Sequence, residues 1–105
     1  MDIQIKHIGI DGLLVTAHGR LDLDNAVEYG TTIKETIEDS SDGIKSLTLD
    51  FMYITFLSSF GLKVILELYK FMQERGTFKL INVPAHIQES LRMVGFDKFI
   101  EINNV

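Results

Sequence analysis

Two adjacent serines, Ser58 and Ser59, are the residues of this sequence best placed for covalent chemistry. They lie in the segment ITFLSSFGLKVI, where the pattern predicts that a strand-to-helix loop becomes a helix. The first N–H groups of a helix are unpaired and carry partial positive charge, which favours a phosphate there. A phosphoserine would add a charge of about −2 at this junction. Because Gly61 leaves the first turn open, we expect the Ser59 hydroxyl to be accessible and able to take a phosphate without breaking the fold.

The same serines also have a simpler interpretation, which local chemistry alone favours. Serine is a preferred helix N-cap, so Ser58 could accept a first-turn N–H group while Ser59 only occupies the exposed first turn. Asp22 precedes another predicted helix and is expected to be its N-cap, with a role in partner contact or phosphate sensing as the alternative. Asp50 is expected to serve the end of its strand and the loop that follows.

Enzymatic and metal sites find little support in the sequence. The chain contains no cysteine, which removes disulfides, thiolate zinc sites and cysteine nucleophiles together. It lacks the Gly-x-Ser-x-Gly pattern of a nucleophile elbow and any glycine-rich phosphate loop. His7 and His18 are expected to lie diagonally on one sheet face, within reach of a bridging ion, but no third ligand is evident nearby. We therefore expect ordinary strand histidines, no metal, no cofactor and no catalysis.

Composition limits the partners and the location of the protein. The chain has 105 residues, 46% of them apolar, which is enough for the core of one domain. Its net charge is −5 and its ten lysines and arginines are scattered singly, so we expect no nucleic-acid partner. No long apolar stretch and no basic leader precede the domain, so we expect a cytoplasmic protein without membrane contact.

The first two predicted elements are strands joined in a hairpin. Residues 3–10 and 13–19 are rich in apolar side chains and flank Asp11-Gly12, a typical signal of a two-residue hairpin turn. Such a turn pairs Ile10 with Leu13. One face of the hairpin then carries Ile8, Ile10, Leu13, Val15 and Ala17. The other face carries Ile3, Ile5, His7, Thr16 and His18.

The remainder of the sequence alternates between helical and strand patterns. Helical spacing begins at Leu23 and ends at the turn Ser40–Gly43. The predicted core positions of this helix are Leu23, Ala26, Val27, Gly30, Ile33 and Ile37. The elements that follow are a strand over residues 46–52, a helix from about Ser58 to Glu74, a strand over 78–83 and a helix from Pro84 to Gly95. The order predicts an α/β fold in one domain, residues 1–105, with a mixed four- to five-stranded sheet, an N-terminal antiparallel hairpin and three main helices.

The segment Thr55-Phe56-Leu57-Ser58-Ser59-Phe60-Gly61-Leu62 resembles the signature of STAS domains, the fold of bacterial anti-sigma factor antagonists. The usual form in that family is an apolar residue followed by Asp-Ser-Ser-Gly-Leu. Further segments are similar to the family's entry to the first helix, its aspartate-ended strand and its penultimate strand. These segments are Gly19-Arg20-Leu21-Asp22 with Ala26, Leu47-Thr48-Leu49-Asp50, and Leu80-Ile81-Asn82-Val83. The resemblance covers nearly the whole chain.

The resemblance implies a partner-switching role rather than catalysis. In such systems the unmodified antagonist binds an anti-sigma factor that is also a serine kinase; the kinase phosphorylates one serine, and a phosphatase restores it. Carried over by position, the phosphoacceptor is Ser59, with Asp22 and Asp50 at the same end of the sheet. The implied partner-binding residues are Asp22, Ser58, Ser59, Phe60, Gly61 and Leu62.

Two positions depart from the family's pattern. Ser58 stands where the family has an aspartate before the acceptor, and Phe60 stands where it has a second serine. Phe60 is interpreted either as a docking anchor or as a core residue, whereas Phe56 and Val64 are predicted to pack in the core. The alternatives to a phospho-regulated antagonist are a STAS scaffold that is not phosphorylated and a regulatory module that binds a small ligand.

Overall fold

The computed structural model describes residues 1–41 and 43–104. The strands are β1 (Asp2–Ile8), β2 (Gly12–Leu21), β3 (Ser46–Asp50), β4 (Ile54–Leu57), β5 (Thr77–Val83) and β6 (Glu101–Asn104). The helices are α1 (Leu23–Glu38), α2 (Ser59–Gln73), α3 (Ala85–Met93) and a short 3₁₀ helix (Phe96–Lys98). The turn predicted at Ser40–Gly43 includes Asp42, which lies outside the described residues. Across the described ranges, none of the helices has the length and apolar character needed to cross a bilayer.

The sheet is mixed, and its main path has the strand order β1-β2-β3-β5-β6. β1 is antiparallel to β2, while the other neighbours along the path are parallel. β4 lies off this path and pairs in parallel with the last residues of β2, beyond the part that pairs with β3. The predicted α/β fold with an N-terminal hairpin and three main helices is confirmed. The short strands β4 and β6 were not predicted from the sequence.

The hairpin has a different register from the one predicted. Ile8 lies opposite Gly12, so three residues connect the strands, and the first of them, Gly9, has a positive φ of 65°. An odd shift of register moves every side chain of β1 to the other face. Consequently Ile3 and Ile5 pack against the core, whereas Ile8 and Ile10 are exposed. The core-facing assignment of Leu13, Val15 and Ala17 in β2 is confirmed.

The core lies between one face of the sheet and helices α1 and α2. Alternate residues of the central strands are buried, as the period of a strand with one covered face requires. The buried residues of β2, β3 and β5 include Leu13, Val15, Ala17, Leu47, Leu49 and Leu80. In α1 the buried residues are Ala26, Tyr29, Gly30, Ile33 and Ile37. Leu23 and Val27, predicted as core positions, are 51% and 60% exposed.

Tyr29 was absent from the predicted core and yet is fully buried, and its hydroxyl has no hydrogen-bond partner among the described residues. Burial, assisted by the nearby charge of Asp50, raises the pKa of Tyr29 well above its usual range. An unpaired buried hydroxyl costs roughly 1–3 kcal/mol, so the Tyr29 hydroxyl lowers the free energy of unfolding instead of adding a hydrogen bond to it.

We expect Tyr29 to make the fold sensitive to alkali. Below pH about 10 both the folded and the unfolded chain keep the phenol proton, so the ionisation of Tyr29 does not lower the free energy of unfolding. Above that pH the unfolded chain ionises while the folded one does not, so the free energy of unfolding falls by up to about 1.4 kcal/mol per pH unit. Denaturant unfolding on both sides of pH 10 should show a smaller fall in Tyr29→Phe than in the wild type. The exposed Tyr53→Phe is the control; equal falls in all three proteins would contradict this account.

Candidate functional site

The start of α2 is fixed by Ser58, which occupies the N-cap position in an extended conformation. Its Oγ accepts a hydrogen bond from the Gly61 N–H at 3.3 Å. The same hydroxyl donates to the carbonyl oxygen of Leu21 at 2.8 Å, and the Ser58 backbone N–H donates to that oxygen at 3.1 Å. The capping interpretation of Ser58 is therefore confirmed. Ser58 also joins the end of β2 to the start of α2, which the sequence did not indicate.

Ser59 and Phe60 are the first two residues of α2, and both are exposed. The Ser59 side chain makes no hydrogen bond to any residue in the described ranges, and Phe60 is 47% exposed. The expected accessibility of Ser59 is thus observed, because Ser58 takes the capping position and leaves the next side chain outside. An exposed first-turn hydroxyl beside an exposed aromatic ring suits both modification and recognition.

Gly61 was expected to leave the first turn of α2 open, but its role in the structure is different. It is buried, so it does not open the helix start to solvent. A Cβ at this position would lie 2.7 Å from the Leu21 carbonyl oxygen and 2.6 Å from Leu57 Cδ1. Glycine is required here because the first turn of α2 packs directly on the paired ends of β2 and β4. The effect on the site is indirect: this close approach is what allows Ser58 to reach Leu21.

Asp22 occupies the N-cap position of α1, but its side chain makes no capping hydrogen bond. The predicted N-cap position of Asp22 is therefore confirmed, but the predicted capping by its side chain is wrong. Its carboxylate instead lies 3.7 Å from the Arg20 Nε, with both side chains about half exposed. The entry to α1 is held by Asn25, whose Nδ2 donates to the Arg20 carbonyl at 2.9 Å. Asp22 consequently presents a carboxylate at the surface.

Arg20 lies opposite Phe56 in the pairing of β2 with β4, and its guanidinium carbon is 4.2 Å from the centre of the Phe56 ring. Phe56 is 40% exposed, so its predicted core position is wrong, whereas Val64 is buried as predicted. The sequence did not single out Arg20, because this contact depends on the unrecognised strand β4. The contact between Arg20 and Phe56 therefore lies on the exposed side of the β2–β4 pair, whose ends hold the start of α2.

Asp50 ends β3 and serves the connection to β4, as expected. Its Oδ1 accepts from the Met52 N–H at 3.0 Å and from Asn82 Nδ2 at 3.2 Å. Asp22 follows the carboxyl end of β2 and Asp50 is the last residue of the parallel strand β3, so both lie toward the carboxyl ends of the strands, although Asp50 pairs with Thr16, six residues before Asp22. The carboxylate of Asp50 is engaged in these two hydrogen bonds, whereas the carboxylate of Asp22 is about half exposed.

The two strand histidines do not lie together. His7 lies opposite Leu13 and His18 opposite Asp2, at the two ends of the hairpin. His18 stacks on Tyr53, with ring centres 4.4 Å apart. The diagonal placement predicted for the histidines is therefore wrong, and the changed hairpin register is the reason. Within residues 1–41 and 43–104, no group of three acidic or histidine side chains could hold a metal ion.

An apolar surface adjoins the start of α2 on the side of α1. Val27 and Val64 line a groove of about 120 Å³ between the two helices, and Gly30 packs closely on Val64. The groove ends at an ion pair in which Lys34 Nζ lies 3.3 Å from Glu67 Oε2. Because Gly30 packs on Val64 and Lys34 pairs with Glu67, the two helices run side by side in the same direction, and Val27 and Phe60 each lie about one turn before the Gly30–Val64 contact. Leu23, Val27 and Phe60 are hereafter called the apolar rim; each is about half exposed or more.

Comparison with known proteins assigns the fold and the sequence to a family. A model of the STAS domain matches residues 2–105. The chain belongs to the STAS domain family. The predicted resemblance is thereby confirmed.

Solved structures share the fold of this STAS domain. An anti-sigma factor antagonist from Mycobacterium paratuberculosis superposes with a TM-score of 0.86 at 19% identity, over 99% of this chain and 86% of that one. The anti-sigma factor antagonist SpoIIAA in its unphosphorylated form gives 0.81 at 15% identity, over 96% and 87% of the two chains. The phosphorylated form of SpoIIAA, a Bacillus cell fate determinant, gives 0.74 at 15% identity, over 96% and 90%. At these identities the likeness shows the fold alone.

The two serines should differ sharply in their effect on stability. Ser58→Ala removes the cap of the Gly61 N–H and one hydrogen bond to Leu21, so we expect a loss of about 1–2 kcal/mol in the free energy of unfolding. Ser59→Ala removes an exposed hydroxyl and should change it by less than about 0.5 kcal/mol. Urea denaturation of both variants measures the difference, and equal losses would contradict the structural role of Ser58.

Proposed function

We propose that this STAS domain is a phospho-regulated anti-sigma factor antagonist that works in the cytoplasm. In this proposal it binds an anti-sigma factor that is also a serine kinase, and phosphorylation of Ser59 by that kinase ends the contact. A phosphatase returns the protein to its binding form. The observation that carries the proposal is that the two serines at the start of α2 have different roles. The Ser58 hydroxyl caps the helix and bonds to β2, whereas the Ser59 side chain is exposed and makes no hydrogen bond to the described residues.

The physical effect of the phosphate supports release rather than adhesion. A dianion cannot enter a close interface without paired cations, because its desolvation costs several kcal/mol. Ser59 is adjacent to the exposed Phe60, and the half-exposed Asp22 directly follows Leu21, whose carbonyl binds Ser58, so a partner bound here would cover apolar and acidic groups together. A phosphate on Ser59 would add bulk and a charge of about −2 to such an interface, and the complex would weaken.

The residues expected to bind the partner have unequal exposure. Ser59 and Phe60 are exposed, while Asp22, Ser58 and Leu62 are partly buried. Gly61 is buried and acts through packing, so its contribution to a partner is indirect. The apolar rim extends the exposed part of this surface toward α1. We propose that Phe60 is the central anchor for the partner, and that Leu23 and Val27, the other two residues of the apolar rim, add to the contact.

Phosphate incorporation tests the proposal directly. Incubation of the purified protein with ATP and a candidate anti-sigma factor that is also a serine kinase should add one phosphate, located on Ser59 by mass spectrometry. Ser59→Ala should abolish the incorporation and retain binding to the kinase, because the exposed hydroxyl contributes little else. Ser59→Asp should bind more weakly than the wild type, because it places a negative charge in the interface.

Ser58→Ala provides the matched control for this experiment, measured at a temperature where it is folded. It should still accept phosphate on Ser59, since the two hydroxyls have different roles. Incorporation at a residue other than Ser59, or partner binding that is equally strong in Ser59→Ala, Ser59→Asp and wild type, would refute the switch.

A constitutive STAS scaffold is the second candidate, and one observation favours it. Phe60 replaces the family's second serine with an exposed apolar side chain, as a permanent contact surface would require. A scaffold would form a stable complex that is indifferent to every change at Ser59 and lost in Phe60→Ser. Phospho-regulation predicts dependence on both positions, so the same binding assay separates the two candidates.

A further inference from the structure

Arg20 has hydrogen-bonding capacity that the fold leaves unused. The chain has three arginines, and two of them donate side-chain hydrogen bonds: Arg75 to the Phe71 carbonyl and Arg92 to Glu89. The Arg20 guanidinium donates none to the described residues; it only approaches Asp22 at 3.7 Å and stacks on Phe56. Its side chain is 57% exposed. A guanidinium carries five N–H donors in a fork that matches a phosphate, and all five are available here.

The backbone brings Arg20 close to Ser59. The residue that follows Arg20 is Leu21, whose carbonyl holds both the backbone N–H and the hydroxyl of Ser58. The residue opposite Arg20 in the strand pair is Phe56, three positions before Ser59. The Arg20 carbonyl is itself fixed by Asn25. Arg20 therefore has a rigid backbone, one residue before the contact between β2 and the start of α2, and a long side chain that makes no hydrogen bond to the described residues.

We propose that Arg20 is the internal receptor of the phosphate on Ser59. The guanidinium would leave Asp22 and the Phe56 ring and form paired hydrogen bonds with the phosphate oxygens. This exchange is favourable because a contact of 3.7 Å to an exposed carboxylate is weak, whereas a doubly charged phosphate also gains the N–H groups of the helix start. The proposal rests on the proposed phosphorylation and adds how the modified surface is rebuilt.

The rearrangement changes the docking surface in two places besides Ser59. Phe56 loses the cation that covers one face of its ring, and Asp22 loses its partner and becomes an isolated surface carboxylate. A partner fitted to the unmodified surface would then meet an altered charge pattern at Asp22 as well as the phosphate. Phosphorylation would thus change the charge pattern at Arg20 and Asp22 as well as at Ser59.

Lys63 is the competing cation, since it is exposed on α2 one turn after Ser59. Residues four apart on a helix are neighbours, so Lys63 could also approach the phosphate. Asp22 opposes both cations by repelling the phosphate. Arg20 is favoured because it offers a bidentate fork, whereas lysine offers a strongly hydrated point charge.

The test uses the full chain with phosphoserine incorporated at position 59 during translation, so it does not require any kinase. Phosphorus NMR then measures the second pKa of the phosphate, whose ordinary value is about 6. We expect a lowered pKa in the otherwise wild-type protein and a pKa higher by roughly half a unit in Arg20→Gln, because a neighbouring cation favours the dianion. Arg20→Lys should lie between them. The Arg20 Nε–H resonance should also move when Ser59 carries phosphate.

Arg75→Gln is the matched control, because Arg75 also stacks on a phenylalanine ring, 3.8 Å from the centre of Phe71, but lies just beyond the other end of α2. It should leave the phosphate pKa unchanged. The proposal is overturned if Arg20→Gln leaves the pKa unchanged, or if Lys63→Gln raises it while Arg20→Gln does not. Failure of the kinase to modify Ser59 would instead count against the proposed function, and this experiment would not be affected.

Discussion

The carbonyl oxygen of Leu21 accepts two hydrogen bonds from Ser58, and the arrangement of the candidate site depends on this contact. Each such bond contributes only about 0.5–1.5 kcal/mol net, but together they fix where α2 begins relative to β2. Gly61 makes the contact possible because any larger residue would strike Leu21. With Ser58 committed to this position, the next residue, Ser59, begins the helix on the solvent side.

This geometry separates the residue that maintains the fold from the residue that can be modified. A switch needs a group whose chemistry can change without unfolding the protein, and Ser59 meets that condition through Ser58. The family's aspartate at position 58 would offer charge next to the acceptor; Ser58 offers a neutral hydroxyl already engaged with Leu21 and Gly61. In the proposed switch, electrostatic control of the phosphate would then be left to exposed side chains such as Arg20.

The sequence predicted the elements with strong periodicity and the start of α2, because both depend on local chemistry. It failed where long-range pairing decides the outcome. The hairpin register depends on Gly9 adopting a positive φ, which the Asp11-Gly12 signal obscured. β4 has only four residues, and without it the exposure of Phe56 could not be inferred. Leu23 and Val27 have helical spacing, but period alone does not reveal which part of the apolar stripe the rest of the fold covers.

Affinity for the anti-sigma partner, measured by calorimetry with unmodified protein and with protein carrying phosphate on Ser59, tests the central claim most directly. We predict that the phosphate weakens binding by at least about tenfold, or about 1.4 kcal/mol. Affinities that agree within about twofold would show that the exposed hydroxyl at the start of α2 does not control docking, and the account would be wrong.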